Sequence, residues 1–110
     1  MKISDISEEK LNLIQIEFDS YQKQNFPERP PEFFCLELNG ESGELANLEK
    51  KKWKGKDIPM ECLADEAADV FIALINYSNS RGINLGKSVS LKLERIEKKR
   101  IELLSKGEEY

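Results

Sequence analysis

Proline and glycine cut this chain into four blocks, and inside each block apolar residues recur at the period of a helix. The first block runs from about Ser7, a fair N-cap, to Asn25. Leu11, Ile14 and Phe18 carry its spacing, and Leu13, Ile16 and Tyr21 widen the stripe. It ends at Phe26-Pro27-Glu28-Arg29-Pro30-Pro31, because a residue before proline is driven out of the helical region. The second block runs from about Pro31, suited to a first helical turn, to Lys52. The third runs from about Pro59 to Ser80 and is stopped by Arg81-Gly82. The fourth runs from about Asn84 to Ser105, with Gly107 as its C-terminal stop. No segment alternates as a strand would. The spacing therefore predicts an all-α fold, a four-helix bundle standing alone or completed by a partner chain.

The 110 residues suffice for one domain, 1–110. A hydrophobic share of 39% against 35% charged fits a globular helical chain better than a disordered one. The core of so short a chain is modest, and association would enlarge it. A net charge of −4 argues against a surface built for nucleic acid. No stretch approaches the ~20 apolar residues that cross a bilayer, so no membrane partner is expected. Cys35 and Cys62 form no CxxC pair, and no signal peptide is evident. Both thiols fit a reducing cytoplasm and are expected to be small buried apolar side chains.

The chain contains no histidine. That removes histidine zinc sites, catalytic triads and Glu-x-x-His di-iron bundles. Metal chemistry must use oxygen ligands or the two cysteines.

The carboxylates stand where apolar residues belong. Phe34, Leu38, Leu45 and Leu48 define the apolar face of the second block, and Glu41 falls in its middle with Glu37 and Glu44 beside it. In the third block Leu63, Ala67, Val70, Leu74 and Tyr77 form the stripe, with Glu66 and Asp69 along one flank. Residues three apart on a helix are neighbours, so each helix offers a pair, Glu41/Glu44 and Glu66/Asp69. Facing pairs repel unless cations neutralise them, and an all-oxygen set favours Mg²⁺, with Mn²⁺ as a substitute. The alternative is pairing with the many lysines. Gly40 and Gly43 inside the second block each cost about 1 kcal/mol relative to alanine, which suggests a close approach to this helix.

The basic side is less specific. Leu85, Val89, Leu93, Ile96 and Leu103 make a stripe on the fourth block; Lys92 and Lys99 lie along one edge, with Arg95 further out. If that edge meets the acids, these cations could hold phosphate oxygens; otherwise it is a solvated edge. The lysines at 50–56, Lys54 among them, are a phosphate-steering patch or a plain solvated link. Trp53 could stack on a base, but packing against a helix end is the favoured expectation.

Gly40-Glu41-Ser42-Gly43-Glu44-Leu45-Ala46 resembles the G-E-x-G-E-L-A signature of the MazG-type all-α nucleoside triphosphate pyrophosphohydrolases, and Glu66-Ala67-Ala68-Asp69-Val70 looks like their E-x-x-D motif. Twenty-one residues separate Glu44 from Glu66, and Pro31 lies ten before Glu41, both as in that family. The resemblance covers about residues 30–100. It implies Mg²⁺-dependent hydrolysis of (deoxy)nucleoside triphosphates to monophosphate and pyrophosphate, with a preference for deoxynucleotides and a house-cleaning role. Glu41, Glu44, Glu66 and Asp69 would bind Mg²⁺, and Lys92 would contact phosphate. The resemblance also implies a homodimer or homotetramer, with helices of two chains building core and site.

Two positions depart from the pattern. The asparagine four residues after the lysine is Ile96 here, and a tryptophan position seven residues after the second glutamate is Lys51, with Trp53 two residues later. Base recognition is therefore not carried over, and Phe26 and Phe33 become alternative stacking residues. The chemistry needs a water attacking in line at the α-phosphorus. Its proton acceptor must be a carboxylate, Glu41 or Glu44, or hydroxide on the metal. Lys92 and Lys99 would stabilise the phosphates. Rival readings are a dUTP or phosphoribosyl-ATP hydrolase of the same fold, a non-catalytic helical adaptor, and a basic-helix nucleic-acid binder over 87–100. Glu94, Glu97 and Glu102 argue against the last.

Overall fold

The computed structural model describes residues 3–110, with side chains from Glu8 onward. Four helices account for nearly all of it: α1 (Ile3–Asn25), α2 (Pro31–Trp53), α3 (Met60–Arg81) and α4 (Leu85–Ser105). The described residues contain no strand, and no helix is long and apolar enough to cross a membrane.

The punctuation acts at three of the four starts. Pro30 caps α2 in extended geometry with Pro31 in its first turn, and Pro59 caps α3. Asn84 caps α4, its side chain accepting the Lys87 N–H at 3.0 Å. Gly82 closes α3 at φ 69°, where the Ile83 N–H reaches back to the Ser78 carbonyl at 2.9 Å. Gly107 closes α4 likewise at φ 73°. The start of α1 differs from expectation. It begins at Ile3, so Ser7 lies inside the helix rather than capping it. Nothing in Ile3-Ser4-Asp5-Ile6 breaks a helix, so the chain has no reason to wait for Ser7.

The six-residue link from Lys54 to Pro59 folds α3 back along α2 as a long antiparallel hairpin. The other close pair is α1 with α4, and α1 also lies against α3. By contrast α4 makes no comparable contact with α2 or α3. One buried glutamine joins the two pairs. Gln15 donates through Nε2 to Asn79 Oδ1 at 3.0 Å and to the Ile83 carbonyl at 2.8 Å, and its Oε1 accepts the Leu85 N–H at 2.9 Å. Asn79 Nδ2 answers by donating to the Gln15 carbonyl at 3.0 Å. Buried amides are costly unless paired, so this clasp fixes α1 to the α3–α4 turn.

Small residues let α1 and α4 approach. Gly86 and Ser90 are the buried residues of α4, while Leu85, Val89, Leu93, Ile96 and Leu103 are half-buried. A Cβ on Gly86 would lie 2.6 Å from the Glu8 carbonyl oxygen and 2.9 Å from its Cα, both backbone atoms that cannot swing aside. Gly86→Ala is expected to destabilise the chain by about 1–3 kcal/mol, read as a lower urea midpoint at unchanged m. An unchanged midpoint would mean the α1–α4 contact is not formed in solution.

The apolar core is small: Phe34, Leu63, Ala73 and Ile75. On α3 the buried set is Leu63, Ala73, Ile75, Asn76 and Ser78, a wider band than the expected stripe, because α1 and α2 both pack against this helix. On α1, Leu11, Ile14 and Phe18 are half-buried, while Leu13, Ile16 and Tyr21 face out. Cys35 and Cys62 are both exposed, against expectation. Each stands one residue, a ~100° turn, away from a buried position, Phe34 or Leu63, and the hairpin packs on too narrow a face to cover them. The radius of gyration is 17.3 Å, whereas about 13 Å describes a compact chain of this length. The accessible surface is 8394 Å², against roughly 6,200 Å² for a compact monomer of this mass. The chain is open, with large apolar side chains such as Leu36, Met60, Ile101 and Leu104 in solvent.

Candidate metal centre

The α2–α3 hairpin brings the two acidic motifs together. Glu41 sits on the inner face of α2, two turns beyond buried Phe34. Glu66 and Asp69 occupy adjacent turns of α3 opposite it. Glu41, Glu66 and Asp69, all half-buried, each offer a carboxylate oxygen within 4.8 Å of the others. Glu44 is exposed at the mouth, near enough for its charge to act on both glutamates.

The electrostatics of this cluster are unfavourable without a cation. Burial pushes the Glu41 carboxyl up to about 7, and the charges of Glu44 and Asp69 add to the rise. Glu66 is raised as well, by burial first and then by Glu44. Oε2 of Glu41 and Oε2 of Glu66 are buried with no hydrogen-bond partner. Such orphaned acceptors are rare among the described groups of a folded chain and ask for an explanation.

Among the described residues, lysine does not supply it. The ion pairs among the described residues are Lys23–Asp19, Arg81–Glu32 and Arg100–Glu97, none at the cluster. The donor set is all carboxylate oxygen, and two of those oxygens are buried without a partner, which fits a hard divalent cation such as Mg²⁺ or Mn²⁺.

The expected substrate-binding cations lie elsewhere. Lys92, Arg95 and Lys99 are exposed on α4, the helix that packs on α1 and leaves the α2–α3 groove alone. Within one chain the basic edge does not meet the acids. Lys54 and Trp53 sit at the hairpin turn, with Trp53 nine residues beyond Glu44, ~13 Å along the helix. Trp53 is 89% exposed, so the expectation that it packs a helix end is overturned: it is the last residue of α2, at the hairpin turn, with its side chain in solvent. Nor, among the described residues, does anything approach Gly40 or Gly43, where a Cβ would meet nothing within 4 Å. The close approach expected there is absent among the described residues. Phe33 has Arg29 over its ring at 4.9 Å and the edge of Phe34 beside it.

A second feature, about two helical turns from the acids, has no signal in the sequence. An open cleft of about 780 Å³ lies where the end of α1, the 26–31 loop, the start of α2 and the later turns of α3 meet. Phe34 and Asn76 line it, each seven residues from an acid of the cluster, Glu41 and Asp69 respectively. Seven residues return a helix nearly to the same face, so Phe34 and Asn76 lie on the faces of α2 and α3 that carry Glu41 and Asp69, about two turns away; none of the acids lines the cleft itself. That offset was readable in the sequence, but only with knowledge that α1 closes the far end. No family model, curated protein or solved structure matches this chain.

Proposed function

We propose that this chain is a Mg²⁺-dependent pyrophosphohydrolase of (deoxy)nucleoside triphosphates, releasing the monophosphate and pyrophosphate. The observation that carries the reading is the pair of buried, unpartnered oxygens on Glu41 and Glu66, set against Asp69 with Glu44 at the mouth. The motifs name four acids as candidate ligands, and three of them, Glu41, Glu66 and Asp69, lie together, with Glu44 exposed nearby. Held by Glu41, Glu66 and Asp69, with Glu44 adjoining, a divalent cation would neutralise the triphosphate oxygens and the charge growing on the leaving pyrophosphate.

The chain's own groups divide the remaining work by exposure. Glu41 is closed in, so it serves as a ligand and anchors the centre. Glu44 is open to solvent and is placed to hold a water and take its proton as that water attacks the α-phosphorus. The bond from the α-phosphorus to the bridging oxygen then breaks, and pyrophosphate departs with its electron pair. A preference for deoxynucleotides and a house-cleaning role complete the proposal.

The reading includes assembly. A protomer with about 2,000 Å² more surface than a compact chain of its mass has enough area for a stable interface. A homodimer or homotetramer would also bring Lys92, Arg95 and Lys99 from a partner's α4 to the phosphates.

The test is pyrophosphate release from a panel of ribo- and deoxynucleoside triphosphates, with Mg²⁺ and with EDTA. Monophosphate and pyrophosphate should appear only with Mg²⁺. A folded, Mg²⁺-loaded sample that turns over no nucleotide would contradict the reading and favour a non-catalytic adaptor.

A further inference from the structure

The cleft two helical turns from the acids has the chemistry of a nucleobase site. Phe26, Pro30 and Phe34 supply flat apolar walls. Gln22, Asn76 and Ser80 supply groups that both donate and accept. Apolar faces with a few convergent polar groups are what a planar heteroaromatic ring requires, and a cleft of about 780 Å³ accommodates one together with its sugar.

Two asparagines lie close together on α3, and they are not equivalent. Asn79 is fully engaged in the Gln15 clasp through both its oxygen and its nitrogen. Asn76 is only 9% exposed, yet its one side-chain contact is Nδ2 to Gln22 Oε1 at 3.5 Å, at the outer limit for a hydrogen bond. Among the described residues nothing donates to its Oδ1. Its oxygen is not among the buried side-chain atoms left without a partner, so it opens to the solvent, and an amide with this much unused capacity at the wall of a cleft is set to read a ligand edge.

Position decides which ligand. Asn76 lies seven residues beyond Asp69 on the same face of α3, ~10 Å along the axis, and Phe34 stands in the same relation to Glu41 on α2. A nucleotide whose phosphates meet the acids would lay its sugar along this groove and its base in the cleft. We propose that the cleft between the end of α1 and the α2–α3 hairpin binds the nucleobase, and that Asn76, with Gln22 beside it, selects which base is accepted. The inference rests on the hydrolase reading only for the direction in which the nucleotide lies.

The experiment uses free deoxynucleosides, so it needs neither metal nor phosphate. The four are titrated at millimolar concentration into the full chain, and the ¹H–¹⁵N signals of the Gln22 and Asn76 side-chain amides are followed. One base should move both amides saturably, with the other bases weaker by fivefold or more. Asn76→Asp, which keeps size but turns the donor into an acceptor, should change the order of preference. Phe26→Ala, at an exposed position, should weaken all bases alike by about tenfold through lost stacking, and covers the case in which Asn76→Asp fails to fold. Amides that no nucleoside moves, or an unchanged order in folded Asn76→Asp together with undiminished binding in Phe26→Ala, would overturn the inference. Nucleoside binding without nucleotide turnover would sink the hydrolase reading and leave this one standing. Turnover without an amide response would do the reverse.

Discussion

Glu41→Gln is expected to lower Mg²⁺-dependent pyrophosphate release by at least ~10²-fold while leaving the helical fold intact and its melting temperature equal or higher. Glutamine keeps the shape of the side chain and removes a charge. In the metal-free chain that charge is a liability, since Glu41 is half-buried, faces Glu66 and Asp69, and has an oxygen with no partner. An amide there can donate to its neighbours, so stability should not fall. Divalent-ion affinity should fall with activity, because an anionic ligand is gone. Glu44→Gln separates the two roles. It should lose activity by a similar factor while keeping most of the ion affinity, since Glu44 stands exposed at the mouth. Activity assays and ion titrations on the two variants check this. An unfolded Glu41→Gln would assign the residue a structural role, and equal losses of ion affinity in both variants would remove the division of labour.

The second large effect is a dependence of stability on pH that Mg²⁺ reverses. Glu41 is raised from the ordinary carboxyl value of 4.5 to about 7 in the folded chain, by burial first and then by Glu44 and Asp69. Between those values the folded state holds more protons than the unfolded one, so stability falls as pH rises through the window and levels off above it. Glu66, also raised, acts in the same direction. A bound cation replaces the proton. Saturating Mg²⁺ should therefore raise the melting temperature by roughly 10 °C at pH 8, where the acids are ionised, and by far less near pH 5.5, where protons compete. Melting curves with Mg²⁺ and with EDTA at both values check the sign. A metal-free chain that grows more stable from pH 5.5 to 8, or that ignores Mg²⁺ at pH 8, would mean the acids are already satisfied.

Much of this was legible in the sequence, and for identifiable reasons. Pro31, Asn84, Gly82 and Gly107 act through local backbone geometry, so the helix ends they mark fall within a residue or two of expectation. Glu41 in the middle of an apolar face is likewise a local signal, and the hairpin turns it into a cluster with Glu66 and Asp69. What stayed hidden depends on which helix packs on which. The stripe on α4 gives no hint that its partner is α1, and that choice keeps Lys92, Arg95 and Lys99 away from the groove. Gly86 reads as an ordinary helix glycine until the Glu8 backbone is placed against it. Cys35 and Trp53 read as packed side chains, but the hairpin buries one narrow face and leaves both exposed. Asn76 resembles any polar helix residue until the cleft appears beside it.

The central claim is that the groove between α2 and α3 holds a divalent cation, and the most direct measurement is a crystal structure of the chain grown with Mn²⁺ at pH 8, with data collected for manganese anomalous scattering. The account predicts a peak among Glu41, Glu66 and Asp69 with carboxylate oxygens at roughly 2.0–2.3 Å. A groove free of anomalous signal, with lysine nitrogens of a second chain seated on the Glu41 and Glu66 oxygens instead, would contradict it.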